Sequence, residues 1–473
     1  MKKLLFIAMT LLAAAAATWY FLRPRDKARD VVPADAVATA VFQPAQLFEA
    51  LGLTSDEVKE LTASLGDLTE AVDMGKPLYA FASKSGLTGV AFNVSDADKL
   101  QNAASDFGFS CTEGSGYRWL TNSHAIGCFD ANRLLLCGPA SEAEQETLRG
   151  EMLRLMKQSR QDVPMLDRAS RQEGFLRLSA SLESLPKAYV PKGFDVSDGC
   201  LNASLAIGDK DITLAMSVTD ADGKPCAAWP EGAELLKPLS GQLPALLPDS
   251  PFAWLCLGVK GEGLLKILRG RPCTSAMLMA LNVAFFDADL MLKAIDGDVA
   301  VVMPEADFLR KEVLLTAHIS NTDFLKDAEE WDTTSTLNGM SLRRRSTADD
   351  YVFTYQGDRF YFGVRGETLY IATSERLADL FAEQGARSFP LRLTGGKKEQ
   401  GARGRYLIGS ADLARLVRSY ASVALMLGAA PQLYEAVDAV NRLNIKSDAL
   451  LDFELSLTTK KPVKEIVATL KDK

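Results

Sequence analysis

The chain repeats itself, and that repeat limits the possible folds more than any other feature. Val31-Val32-Pro33-Ala34-Asp35-Ala36-Val37 recurs as Leu246-Leu247-Pro248-Asp249-Ser250-Pro251-Phe252, and each stretch leads an apolar strand into a helix. Val94-Ser95-Asp96-Ala97-Asp98-Lys99-Leu100 returns as Ile319-Ser320-Asn321-Thr322-Asp323-Phe324-Leu325. Asn132-Arg133-Leu134-Leu135-Leu136 returns as Glu367-Thr368-Leu369-Tyr370-Ile371. Ser179-Ala180-Ser181-Leu182 returns as Ser410-Ala411-Asp412-Leu413, with Tyr189 against Tyr420. Four matches in one order, with a spacing that drifts as loop insertions would make it, point to a tandem duplication.

Within the first copy the pattern predicts a strand at Ala36–Phe42, helical segments ending near Val72, and a hairpin at Leu78–Ser83 and Thr88–Val94. Ser95 and Asp96 stand where a helix N-cap belongs. Strands follow at Tyr117–Asn122, Ala125–Phe129 and Arg133–Cys137, then a helix over Glu142–Gln158 whose Leu148, Met152, Leu155 and Met156 share one face. The copy closes with a strand (Phe175–Ala180), a helix (Leu182–Ala188) and a hairpin (Leu201–Ile207, Ile212–Val218). Runs of adjacent strands broken by helices give an α+β class: two tandem copies of an antiparallel-sheet-plus-helices unit after an N-terminal hydrophobic helix. The expected organisation is 1–30 anchor or signal with its basic flank, 31–225 first repeat, 226–245 linker and 246–473 second repeat. The stretch Pro225–Pro251 is rich in Pro and Gly, and a flexible basic stretch, Gly385–Arg405, interrupts the second copy.

Lys2 and Lys3 precede an uncharged run from Leu4 to Leu22, closed by Arg23, Pro24 and Arg25. As a helix that run reaches about 28 Å, enough to cross a hydrocarbon core. A cleaved signal peptide ending at Ala15-Ala16-Ala17 is the alternative. Apolarity continues through Trp19, Tyr20, Phe21 and Leu22, which favours a retained anchor. The flanking charges lean toward a cytoplasmic body, but export is the usual fate of such an N-terminus, so a periplasmic body is expected. Net charge is −8; residues 1–30 contribute +4, leaving −12 on the rest, a sign that opposes nucleic-acid binding. Seven cysteines include no C-x-x-C pair, and Cys128 and Cys137 flank a turn at Asp130–Arg133 across which they would face each other in one register.

At Val32-Pro33-Ala34-Asp35-Ala36 the chain resembles bacterial families known as domains of unknown function 4836 and 3352, whose extracytoplasmic parts open with a similar P-A-D strand after a signal or anchor. The resemblance covers most of residues 31–473 and implies a place in the cell envelope. It supplies no functional residues. Lipoprotein members carry a lipidation Cys that this N-terminus lacks.

The motifs that carry chemistry are thin. His318 and His124 sit at positions unrelated by the repeat, poor material for a metal site or triad. Gly258-Val259-Lys260-Gly261-Glu262-Gly263 lies where a dinucleotide fingerprint belongs, yet Lys266 replaces the third glycine, and turn geometry explains the glycines better. Gly395-Gly396-Lys397-Lys398 lacks the first glycine and the hydroxyl of a phosphate loop, and Asp220-Ala221-Asp222-Gly223 lacks the downstream ligands of a calcium loop. No cofactor or metal is therefore expected. Asp287, Asp289, Asp296 and Asp298 form the densest acidic cluster and suit capping and turn-making. The basic runs Arg343-Arg344-Arg345 and Lys397, Lys398 and Arg403 are the one feature that suggests an anionic contact, a lipid headgroup or an acidic protein patch. Together these features favour a non-enzymatic envelope protein that binds or scaffolds another envelope protein. Alternatives are a small-molecule, lipid or peptide site in a cleft between the repeats, or a hydrolase using carboxylates such as Asp296 and Asp298.

Overall fold

The structure, a computed structural model, describes residues 26–471 except 63–67, 139–140, 159–161, 186, 191–193, 198, 221, 227–228, 242, 245–250, 285–286, 307–311, 327–335, 338–339, 346–349, 356, 385–387, 390–391, 394–399, 417 and 419–438. The expected N-terminal helix lies outside the described residues; among those described, no helix is long and apolar enough to cross a membrane. The described residues fall into two compact units, 26–49 with 53–180, and 50–52 with 181–471. The fold is mixed α+β, and every described strand pairing is antiparallel.

The first unit holds strands β1 (Ala36–Phe42), β2 (Leu78–Ser83), β3 (Thr88–Asn93), β4 (Ser110–Gly114), β5 (Tyr117–Thr121), β6 (Ile126–Phe129), β7 (Arg133–Cys137) and β8 (Leu176–Ser181). They pair in the order β8-β1-β2-β3-β7-β6-β5-β4. One cross-strand row shows how the alternating pattern builds the core: Arg177, Val41, Tyr79, Ala91, Leu135, Cys128 and Trp119 are successive register partners, each at most 9% exposed. Helix α1 (Pro44–Leu51) follows β1, α2 (Ser55–Thr62) and α3 (Leu68–Ala71) precede β2, and α4 (Ala97–Asp106) follows β3. Asp96 caps α4 as its sequence position suggests, accepting from the Asp98 and Lys99 amides at 3.0 Å. Helix α5 (Glu142–Lys157) opens with a Ser141/Glu144 capping box and presents Met152, Leu155 and Met156, all fully buried, to the row. Strand β4 and helix α6 (Pro164–Arg171), which starts on its proline, are additions to the expected elements.

The chain leading into β1 is part of this core. Ala28, Val31 and Val32 are at most 1% exposed and pack with α5 and α6. The Asp26 carboxylate accepts from the Tyr79 hydroxyl and from Asn93 Nδ2 at 2.8 Å, and Asn93 Oδ1 accepts from the Lys27 and Ala28 amides at 3.1 and 3.3 Å. Arg29 pairs with Asp167 on α6 at 2.5 Å. Burial, then the Asp26 charge, raises the Tyr79 phenol well above its ordinary range, so it stays a donor.

The second unit begins with β9 (Cys200–Ile207) and β10 (Asp211–Thr219). It continues through β11 (Ala253–Lys260), β12 (Ile295–Met303), β13 (Leu314–Ile319), β14 (Met340–Arg344), β15 (Asp350–Tyr355), β16 (Asp358–Arg365), β17 (Thr368–Ala372), β18 (Leu407–Asp412), β19 (Val440–Ala449) and β20 (Asp452–Thr459). Pairing runs β9-β10-β20-β19-β18-β11-β12-β13-β17-β16-β15-β14. Because β20 takes the edge of β10, the β9–β10 hairpin belongs to the second compact unit. Its core row is Ile408, Cys256, Ala300, Thr316, Tyr370, Gly363 and Asp350. Helices α8 (Gly261–Arg269), α9 (Pro272–Ala284) and α10 (Ala288–Ala294) supply Leu265, Leu278 and Leu292 to one cluster, and α11 (Glu375–Gln384) supplies Leu377, Ala378 and Phe381 to another. Residues 226–245 contain helix α7 (Pro230–Leu235) and place Leu239 in the core, 2% exposed. The last described element is α12 (Val463–Lys471).

Two local expectations need correcting. Instead of a helix, Leu182–Ala188 gives 3₁₀ turns at Leu182–Ser184 and Lys187–Tyr189, because Pro186 holds the preceding Leu185 extended at ψ 139°. Cys128 lies opposite Leu135 and Cys137 opposite Ile126, so the two thiols are diagonal rather than facing, and both are free. Burial pushes each of them up to about 12.

Candidate functional site

Four strands of the second unit, β9, β10, β20 and β19, form an amphipathic sheet whose apolar side faces solvent. Leu214 lies opposite Leu455 and Met216 opposite Phe453; beyond them Leu205 pairs with Leu214, Ala203 with Met216 and Ile445 with Leu455. Alternation sends Thr213, Ala215, Ser217, Glu454 and Ser456 to the other face. Leu214, Met216, Phe453 and Leu455 keep 36–40% of their surface exposed. Large apolar side chains that are cross-strand neighbours and stay exposed are the usual mark of an interaction surface, whereas scattered single ones are not.

A cleft of about 800 Å³ opens at the N-terminus of α8 in the same unit. Glu234, Lys260, Glu262, Lys266, Lys293 and Asp296 line it. Lys266 pairs with Glu234, Lys260 Nζ donates to the Ala233 carbonyl at 2.8 Å, and Lys237 Nζ meets Asp296 at 2.5 Å. Three lysines set against three carboxylates give the cleft no net charge with which to prefer an anion. The glycines beside it have a different cause from the turn geometry expected: none of the three has positive φ. A Cβ on Gly258 would stand 2.0 Å from the Lys237 carbonyl oxygen, one on Gly261 2.0 Å from that of Leu292, and one on Gly263 2.3 Å from that of Glu234. Gly258 therefore admits the Lys237 backbone against β11, and Gly261 and Gly263 let the start of α8 lie against the backbones of α10 and α7.

The acidic cluster is dispersed among structural tasks. Asp287 caps α10 by accepting from the Leu290 amide at 2.9 Å, and Asp289 pairs with Arg269 at 2.5 Å. Asp298 is 1% exposed and accepts from the Ser240 amide and hydroxyl at 2.8 and 2.7 Å and from the Gly241 amide at 3.1 Å. Asp296 is 59% exposed at its side chain. With one carboxylate spent on a turn and the other in solvent on a lysine, they do not form an acid–base pair. Asp220 Oδ1 accepts from the amides of Asp222 and Lys224, both at 2.9 Å, which makes that stretch a turn. His318 Nδ1 lies 2.9 Å from the Asp296 carbonyl oxygen and its Nε2 3.3 Å from Glu367. Among the described residues no group of three or more His, Cys, Asp or Glu is placed to hold a metal.

The basic residues separate. Arg343 and Arg344 lie exposed on β14 and Arg403 is exposed in a turn, while Lys397 and Lys398 lie outside the described residues. Arg345 points inward instead. Its side chain, 14% exposed, reaches Asp379 at 2.5 Å and Asp350 and Glu375 at 3.5 Å, and stands 5.1 Å over the Tyr361 ring. Asp350 is 3% exposed; it also accepts from the Tyr370 hydroxyl and lies 3.9 Å from Arg365. Burial first, then the bond to Asp350, raises the Tyr370 phenol. Sequence reasoning missed this buried group. Its one signal was Tyr370 standing where the matching stretch 132–136 has Leu135.

No family model matches the chain, and no curated protein matches it. Solved structures with a distant likeness include crystal form IV of TP0453, at 13% identity and TM-score 0.28, covering 40% of this chain and 79% of that one. Crystal form I of TP0453 is similar at 14% identity and TM-score 0.27, covering 40% and 77%.

Proposed function

We propose that this chain is a membrane-tethered envelope protein, built from two tandem copies of one sheet-and-helix unit, whose soluble body binds another envelope protein without catalysing a reaction. The single observation that carries the binding role is the exposed apolar cluster of Leu214, Met216, Phe453 and Leu455 on one sheet face. Duplication is supported by strand order: β8-β1-β2-β3-β7-β6-β5-β4 in one unit matches β18-β11-β12-β13-β17-β16-β15-β14 in the other, strand for strand. Such a chance match of eight antiparallel strands, with two crossovers in the same places, is improbable when sequence matches fall at the same elements. Tethering rests on the Leu4–Leu22 run, and the likeness to the two families at Val32–Ala36 agrees with an envelope location.

Crosslinking in native membranes tests the reading. The full chain should give a reproducible protein adduct, and Leu214→Glu with Phe453→Glu should abolish it while leaving the far-ultraviolet circular dichroism unchanged. An adduct that survives both substitutions removes the sheet face as the binding surface. The α8 cleft favours a second reading, capture of a small polar molecule; a Lys260→Ala variant with unchanged binding of every metabolite screened would end it.

A further inference from the structure

We infer that the first unit is held directly against the bilayer, with one defined end facing the lipid headgroups, rather than swinging on a linker. The inference rests on the tether proposed above, and its own content lies in the described residues. Three residues, Arg23, Pro24 and Arg25, separate the last apolar residue, Leu22, from Asp26. Four Cα steps span at most about 14 Å. Asp26, the first described residue, is already fixed in the folded unit: its carboxylate is held by Tyr79 and Asn93, the next two amides are held by Asn93 Oδ1, and Ala28 is fully buried. Arg29 is fastened to α6 through Asp167. No slack remains between membrane and fold.

The clamp also says which end faces the membrane. Asn93 ends β3 and pairs in register with Arg133, which starts β7 after the Asp130–Asn132 turn. Arg133 donates to the Met156 carbonyl at the C-terminus of α5, and the Asp73 amide donates to the Asn93 carbonyl at 2.9 Å. The Asp73–Lys76 turn, the Asp130–Asn132 turn and the end of α5 therefore share the clamp's end of the unit. The β2–β3 turn at Lys84–Gly86 lies at the other end, about 20 Å away along six residues of β2. Arg23 and Arg25 suit the headgroup layer between.

The test uses the full chain in phosphatidylethanolamine–phosphatidylglycerol vesicles, with Cys111, Cys226 and Cys273 replaced by Ser and one environment-sensitive fluorophore on Asn132→Cys or, separately, on Lys84→Cys; both positions are exposed. Quenching by headgroup-labelled lipid should be several-fold stronger at 132 than at 84. Vesicle-bound protein with equal, weak quenching at both positions would overturn the inference and leave the tether standing. Protein recovered free in solution, cut after Ala17, would overturn the tether and the inference with it. Trypsin gives an independent readout: cleavage after Lys27 and Arg29 should be slow, and at least tenfold faster in Tyr79→Phe. Fast cleavage in the unmodified chain would show that no clamp exists.

Discussion

The two core rows each cross seven strands paired in the same order but keep their charge at opposite ends. In the first unit the row runs Arg177, Val41, Tyr79, Ala91, Leu135, Cys128, Trp119; in the second, Ile408, Cys256, Ala300, Thr316, Tyr370, Gly363, Asp350. Trp119 is buried under the Arg149 guanidinium, 5.4 Å from its ring. At the matching register the second unit has Asp350, neutralised by Arg345 and hydrogen-bonded by Tyr370. Conversely Arg177, buried in the first unit, stands where the second has Ile408. A backbone pattern thus tolerates an aromatic or an ion group at one position, provided each buried charge keeps its partners.

The largest expected effect comes from breaking one side of that difference. Asp350→Ala leaves the buried Tyr370 hydroxyl without its acceptor and takes from Arg345 its buried carboxylate, leaving it the half-exposed Asp379 and Glu375, and should destabilise the second unit by about 3–5 kcal/mol in urea unfolding. Hydrogen exchange should localise the loss to β14–β17 and leave β1–β8 protected. Trp119→Ala should cost the first unit about 3–5 kcal/mol by cavity formation, with the protection pattern reversed. Sharpening the comparison means giving the second unit the first unit's chemistry. Asp350→Leu with Tyr370→Leu and Arg345→Met should lie within about 1–2 kcal/mol of the unmodified protein, because the desolvation cost of the ions goes with their attraction. A loss as large as that of Asp350→Ala alone would mean that the ion group is needed for the fold.

Much of this was legible in the sequence, because apolar alternation and turn residues are local: β1, β2, β3, β6 and β7, the Asp96 cap and the buried face of α5 all follow from it. Strand β4 escaped because Ser110–Gly114 is an edge strand with little buried side chain to set a period. The inward turn of Arg345, the diagonal cysteines and the apolar face shared by β10 and β20 depend on registers between segments far apart in sequence, which no local pattern encodes. A run of arginines reads as a solvated surface until one of them is found beside a buried aspartate.

Smaller effects follow at the remaining charged positions. Arg177 donates Nη1 to the Ser170 and Gln172 carbonyls at 3.2 and 3.4 Å, its Nε has no hydrogen-bond partner among the described residues, and burial lowers its pKa. Arg177→Met, which moves this position toward Ile408, should change stability by less than about 1 kcal/mol; a calorimetric loss of several kcal/mol would show a charge role absent from the second unit. Asp452 has its carboxyl raised by burial and then by Asp448 and Glu454. A raised acid binds its proton more tightly when folded, so its contribution falls as pH climbs from the ordinary aspartate range through the raised value. Asp452→Asn should flatten stability against pH in that window and gain less than about 1 kcal/mol at neutral pH, given how much of the group meets solvent.

The most direct test of one pattern used twice is a pair of matched crosslinks. Val90 lies opposite Leu136 in the first unit and Leu315 opposite Ile371 in the second. Cysteine pairs at 90/136 and at 315/371, bridged by a short bis-thiol reagent and read by mass spectrometry, should link with equal efficiency. Efficient linking of one pair while the other links only after a one-residue shift would contradict the shared register, and with it the duplication.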